Sequence, residues 1–207
     1  MRTLLAHDDD ALGVAAKALR AGEVVLVPTD TVYGLAAMPD RADAVHRMYV
    51  AKDRPSDLPL PVLAASLEQV RQLGVEFPAA ATILSARWWP GPLTMALGLA
   101  AGSARPPWLN AREEVAVRIP AHDFLLALME DTGVLLVTSA NRHGEPTSPS
   151  AAEAGAQLAP HVELVIDAGT LTAVPSTLVN VRGEVAVVER EGAISKQDIT
   201  AALDHLR

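Results

Sequence analysis

Residues 134–144 read VLLVTSANRHG. Four aliphatic side chains, Val134 to Val137, run directly into Thr138, Ser139, Asn141 and His143, and Gly144 closes the stretch. A short, continuous apolar run bounded by turn residues reads as a strand buried on both faces. Such strands belong to sheets covered by helices. The polar tip has two readings. Strands end in turns, and turns favour Ser, Asn and Gly. In open α/β sheets, strand ends are also where ligands collect.

The chain on either side repeats this alternation. Asp8 to Asp10 stand where a cap would start a helix over 11–20, which Gly22 stops. EVVLVP (23–28) reads as a buried strand, and ADAVHRMYVAK (42–52) has the helical spacing of Val45, Met48 and Tyr49. A short apolar run covers 59–64. Ser66 and Gln69 fit a capping box, and Pro78 starts a helix that Pro90–Gly91–Pro92 breaks. PLTMALGL and EVAVRIP are strand-like, HDFLLALMED is helical, and SAAEAGAQL follows the 134–140 strand as a helix. ELVIDAG, STLVNVR and EVAVVER are three more strands before a closing helix in SKQDITAALDHL. This order predicts an α/β fold, a sheet with helices packed on it. The neighbouring late strands predict that the sheet is mixed. Residues 97–114, rich in Gly and Pro, read as a long surface loop.

At 207 residues the chain fits a single domain, 1–207, with a substantial core. Half of it is apolar, mostly Ala, Val and Leu, which excludes a disordered chain. With no cysteine there is neither a disulfide nor a thiolate metal site, as suits a cytoplasmic protein. No apolar run reaches the length of a membrane span, and MRTLLAHDDD lacks the apolar segment of a signal peptide. No membrane association is expected. The formal charge of −8 argues against stable nucleic-acid binding, which needs many Lys and Arg contacts to phosphate.

The common nucleotide signatures are missing. There is no Walker-type loop, no G-x-G-x-x-G after a strand, and no H-E-x-x-H or G-x-S-x-G. The six His are scattered without ligand spacing and read as surface or capping residues. Polar clusters sit instead where apolar segments end: PTDTVYG (28–34), KDRPSD (52–57), Arg118 inside EVAVRIP, TSAN (138–141), PST (175–177) and Arg190. Each alone reads equally as a turn, a solvated loop or a surface charge. Together they supply Lys and Arg for anions and uncharged donors at strand ends.

Taken in order, PTDTVYGLA, KDR, WWPGPLT, VAVRIP, TSANRHGEP, PSTLVNV and VVEREG resemble the YrdC-like family of threonylcarbamoyl-AMP synthases. The resemblance spans residues 10 to 195 and points to the short, single-domain form. It implies an open twisted mixed sheet with flanking helices around a deep, positively lined cavity. It implies an enzyme that condenses L-threonine, bicarbonate and ATP to threonylcarbamoyl-AMP and pyrophosphate, for t6A modification of tRNA. Mg²⁺ is expected with ATP, held mainly by the phosphates. Transient contact with the complex that transfers t6A is implied as well.

Residue by residue, the family's Lys, Arg, Ser and Asn tetrad falls on Lys52, Arg54, Ser139 and Asn141. Threonine would meet Thr31, Arg118, Asn141 and Ser176. ATP would meet Lys52, Arg54, Ser139 and Arg190, with Ser148 or Ser150 as the serine that follows the SAN motif. Three departures stand out. Leu58 replaces a common Asn, Leu63 replaces a common His, and Arg142–His143 precede Gly144 where a small residue and Ser are usual. Arg142 is expected to point to water. Two other functions compete. An RNA-binding or ribosome-maturation module without turnover is disfavoured by the net charge. The related carbamoyl-adenylate chemistry of hydrogenase maturation proteins belongs to longer, cysteine-bearing chains.

Overall fold

Among the described residues, alternation of side chains along ten short strands sorts the apolar residues onto two faces of one mixed sheet. The computed structural model describes residues 1–109, 112–172 and 174–204. Its strands are β1 (Arg2–Leu5), β2 (Val25–Val27), β3 (Gly34–Ala37), β4 (Val62–Leu63), β5 (Leu93–Gly98), β6 (Glu114–Arg118), β7 (Leu135–Ser139), β8 (Leu164–Asp167), β9 (Thr177–Asn180) and β10 (Val187–Arg190). The helices are α1 (Ala11–Arg20), α2 (Ala42–Lys52), α3 (Leu67–Gln72), α4 (Ala79–Trp88), α5 (Asp123–Thr132), α6 (Ala151–Leu158) and α7 (Lys196–Leu203). The sheet order is β1-β8-β2-β3-β7-β4-β6-β5-β9-β10. β8 pairs parallel with β1 and β2, β4 with β6, and β5 with β9; the other neighbours are antiparallel. The sheet is open, with β1 and β10 at its edges.

One face is covered along most of its length. Leu26, Leu35, Val62, Met95, Val117, Leu136, Val165 and Val179 pack there with residues of α2, α3, α4, α6 and α7. Among the described residues, α1 and α5 are the helices that cover the other face. Ala15, Leu19, Leu125, Leu128 and Met129 pack on Val25, Val27, Ala36, Leu63, Leu135, Val137, Leu164 and Ile166. Among the described residues this second cluster reaches β4 and goes no further toward β10. Strands 3.3–3.4 Å per residue in rise turn alternate side chains to opposite faces. Ala116 and Arg118 of β6, Thr94 of β5 and Leu178 of β9 therefore project on the side where the helical cover stops, and a cleft opens over them.

The expected helices and late strands are present, and Ser66 Oγ accepts the Gln69 N–H that caps α3. Three expectations need correction. Asp10 occupies the N-cap of α1 without a side-chain bond, while Asp8 Oδ2 accepts from Leu5 N at 2.8 Å; the acid is spent on the β1–α1 turn. The stretch 97–114 is not all surface loop: Leu97 and Gly98 extend β5, a 3₁₀ turn covers Pro107–Leu109, and Leu109 is buried. Asn110 and Ala111 of that stretch lie outside the described residues. Two strands were not foreseen: β1, and β3 inside PTDTVYGLA. Gly34–Ala37 is too short and too rich in small residues to show a period, and its pairing with β2 and β7 makes it a strand.

Candidate active site

The β2–β3 connection folds around one hydroxyl. Thr29 Oγ1 accepts the N–H of Thr31 at 3.0 Å and of Val32 at 3.1 Å, and donates to Val32 O at 2.7 Å. This local turn leaves Asp30 and Thr31 facing Arg118 at the end of β6. Arg118 donates from Nε to Gly91 O at 2.9 Å, from Nη1 to Thr31 Oγ1 at 2.9 Å, and from Nη2 to Asp30 Oδ1 at 2.5 Å. The Arg118 side chain is 6% exposed. Burial pulls its pKa down, and Asp30 opposes that by favouring the charge. Gly91 is required here, since a Cβ would lie 2.6 Å from Trp88 O. Thr172 Oγ1 donates to Thr31 O at 2.9 Å and ties the chain after β8 to the same turn.

A second wall forms where α2 ends. Asp53 takes φ +49°, a left-handed conformation that Asp tolerates better than most residues. The reversal keeps Lys52 buried and brings Arg54 to the cleft. Lys52 Nζ donates to Ser139 O and Asn141 O at 2.5 Å each, and to Asn141 Oδ1 at 3.2 Å. Lys52 O accepts from His143 N at 2.7 Å. Asn141 Nδ2 in turn donates to Arg142 O at 3.0 Å and Glu145 O at 2.5 Å. The TSAN tip is thus clasped to α2 by an ammonium that spends its three protons on it. Burial pushes the Lys52 ammonium down to about 7, and the charge of Arg54 acts the same way; the three oxygens around Nζ favour the charged form. Arg54 donates from Nη2 to Pro59 O at 2.9 Å, while its buried Nε has no partner. Burial lowers the Arg54 pKa as well.

The third wall comes from β5, β9 and β10. Ser176 Oγ lies 2.8 Å from Thr94 Oγ1, and Arg190 Nη2 donates to Ser176 O at 2.9 Å and reaches Ser176 Oγ at 3.4 Å. Thr177 Oγ1 donates to Ile194 O at 2.6 Å and accepts from Gly192 N at 2.9 Å and Ile194 N at 3.0 Å. That hydroxyl fixes the chain after β10 against the PST segment. Thr94 escaped the sequence reading. Its signal was a lone hydroxyl in PLTMALGL at the parity opposite Leu93, Met95 and Leu97.

Together the walls enclose a cavity of about 580 Å³, within the range of small-molecule sites. Gly34, Leu63, Ala116, Val137 and Leu178 make an apolar floor; Thr31, Thr94, Ser139, Asn141 and Ser176 give uncharged polar groups. Arg54, Arg118 and Arg190 are its cations, against one lining carboxylate, Glu145. No group of His, Asp and Glu suited to hold a metal ion occurs among the described residues. The cleft therefore suits an anion with a small apolar part.

Some expected residues stand apart from the lining. Lys52 lies behind the TSAN tip. Ser148 Oγ donates to Glu153 Oε2 at 2.6 Å, and Ser150 Oγ caps α6 through Glu153 N at 3.4 Å. Arg142 is exposed and bonds from N and Nε to Gln157 at 2.9 and 3.3 Å, and His143 is exposed too. Leu58 is half-buried and accepts the Tyr49 hydroxyl through its carbonyl at 3.0 Å, whereas Leu63 belongs to the cleft floor.

Comparison with known proteins points one way. The family model Sua5_yciO_yrdC, described as telomere recombination, matches residues 17–192. The threonylcarbamoyl-AMP synthase of Bacillus subtilis is 37% identical over 201 residues, 96% of this chain and 58% of that protein. The crystal structure of Pyrococcus abyssi Sua5 complexed with L-threonine superposes with a TM-score of 0.85 at 35% identity, covering 93% of this chain and 57% of that one. The chain thus spans less than two-thirds of the length of these two relatives. The E. coli YciO structure, 23% identical with a TM-score of 0.82 over 93% of this chain and 94% of that one, shares the fold.

Proposed function

The chain belongs to the Sua5/YciO/YrdC family, and from that membership we propose that it condenses L-threonine, bicarbonate and ATP to threonylcarbamoyl-AMP and pyrophosphate, for the t6A modification of tRNA. The observation that carries the reading is the pairing inside one cleft of three arginines with a set of uncharged donors over an apolar floor. An amino acid carrying a methyl group and a nucleoside triphosphate both present such mixed surfaces.

In this reading the Arg118 end takes the amino acid. Arg118 holds its α-carboxylate, Thr31 and Ser176 meet its polar groups, and the floor at Leu63 and Val137 takes its methyl. Attack of the neutral amine on CO₂ gives a carbamate and releases a proton, and attack on bicarbonate gives the same carbamate and releases water; either route needs positioning more than a strong base. The carbamate oxygen then attacks the α-phosphorus of ATP, the bond to the β-phosphate oxygen breaks, and pyrophosphate leaves. Negative charge grows on the phosphorus oxygens and the leaving group, so preorganised cations and donors lower the barrier. Arg54 supplies that charge at the cleft, Ser139 and Asn141 supply the tip, and Arg190 reaches the nucleotide. Lys52 acts from behind the tip, holding Ser139 and Asn141 in place and adding its charge through them. Mg²⁺ arriving with the triphosphate would offset part of its charge and would be held mainly by the phosphates, since no group of His, Asp and Glu suited to hold it occurs among the described residues. The decisive measurement is pyrophosphate release from ATP. Release that requires both threonine and bicarbonate is expected, and release indifferent to threonine would exclude this substrate.

A further inference from the structure

Asp30 is absent from the residues that line the cleft, yet it makes the shortest contact of the residue that dominates one end of it. Its carboxylate is 13% exposed and stands 2.5 Å from Arg118 Nη2. Arg118 has five N–H groups. One goes to Gly91 O, one to Thr31 Oγ1 and one to Asp30. Among the described residues the other two have no acceptor, which leaves them for a ligand. The first two partners are neutral; among the described residues, Asp30 is the one acid that opposes the guanidinium's charge. A hydrogen bond from an ionised donor is of the stronger kind and holds its geometry, and the guanidinium supplies that charge whether the oxygen facing it belongs to a carboxylate or an amide. Asp30 itself is placed by the Thr29-centred turn, a structure independent of any ligand.

We propose that Asp30 is a positioning residue, which locks the Arg118 guanidinium in the orientation that turns its two remaining N–H groups to the amino-acid carboxylate. The proposal rests on the reading that Arg118 takes that carboxylate. It differs from simple charge neutralisation. If Asp30 only offset the arginine's charge, removing its charge would strengthen carboxylate binding. If it positions, Asp30→Asn keeps an oxygen acceptor at the same place and stays near wild type, whereas Asp30→Ala loses the lock.

The test has two arms. In calorimetry with L-threonine, Asp30→Ala is expected to bind at least about tenfold more weakly and Asp30→Asn within about threefold of wild type, with affinity for a non-hydrolysable ATP analogue kept in both. In NMR of the ligand-free protein, the Arg118 Nη protons are expected to show restricted rotation in wild type and Asp30→Asn, and to average in Asp30→Ala. Tighter threonine binding by Asp30→Asn, equal loss of both ligands in Asp30→Ala, or unaltered Arg118 rotation in Asp30→Ala would overturn the proposal. A wild-type protein that binds no L-threonine would remove the substrate reading instead, and the rotation measurement would still decide whether Asp30 positions Arg118.

Discussion

Asn141 and Arg54 sit in the same wall of the cleft but are held very differently. Every polar proton of the Asn141 side chain is used, on Arg142 O and Glu145 O, and its Oδ1 accepts a hydrogen bond from Lys52 Nζ. Among the described residues the Arg54 side chain makes one bond, to Pro59 O. Alanine at either position is expected to abolish pyrophosphate release while the fold persists. Only Asn141→Ala should also lower stability, by about 1–3 kcal/mol, because it strands a buried ammonium donor and two carbonyls. Paired activity and denaturant measurements check this, and wild-type turnover in either variant would remove that residue from the mechanism. Lys52 gives a pH prediction with a definite sign. Its folded pKa is depressed to about 7 from an ordinary 10.5. Between those values the unfolded chain holds a proton that the folded one lacks, so stability rises with pH there, by at most about 1.4 kcal/mol per unit. Below about 7 both states are protonated and the dependence ends. Lys52→Met lacks this contribution. The stability difference between wild type and variant should therefore grow with pH above 7, and a flat difference would contradict it.

At the scale of elements, close backbone approach decides what the cleft can be. Gly192 stands so near Pro175 O and Ser176 that a Cβ would lie 2.6 Å from Ser176 O and closer still to Pro175 O. Both obstacles are backbone and cannot swing aside. Gly192→Ala is expected to push the chain after β10 off the PST segment, breaking the Thr177 bonds to Gly192 and Ile194 and moving Ser176. Overpacking of this kind costs about 1–3 kcal/mol, and threonine affinity should fall with it. A variant with wild-type stability and affinity would show that the loop accommodates. The sequence could not announce this glycine, because nothing local distinguishes EG at 191–192 from any turn. What it did announce was segmental: α2, α5, β5, β6 and β7 carry clear periods or unbroken apolar runs. β1 and β3 carry neither and exist through pairing. In the same way, SAN, KDR and VAVRIP pointed to charged and polar groups at strand ends; Thr94 became visible only when the sheet set β5 beside β9, and Asp30, already within the PTDTVYG cluster, gained its partner only when β6 came against the β2–β3 turn.

The whole molecule sets a cationic cleft in an acidic body. The chain carries −8 overall, yet three arginines and a single carboxylate line the cavity. This distribution separates ATP from RNA. A nucleotide brings its phosphates together, into a space of about 580 Å³, where buried cations are little screened by salt. An RNA duplex or loop spreads its phosphates over a surface, and its affinity depends on neutralising many of them at once. Outside the cleft this surface is acidic on balance and repels such a chain. Filter binding with tRNA should therefore show weak retention at physiological salt, under conditions where an ATP analogue saturates the protein. The function proposed above agrees with that, since its product would be a small adenylate and the tRNA would be met only in passing. Tight, salt-sensitive retention of RNA without pyrophosphate release would reverse the order of the two ligands and make the cleft part of an RNA-binding module.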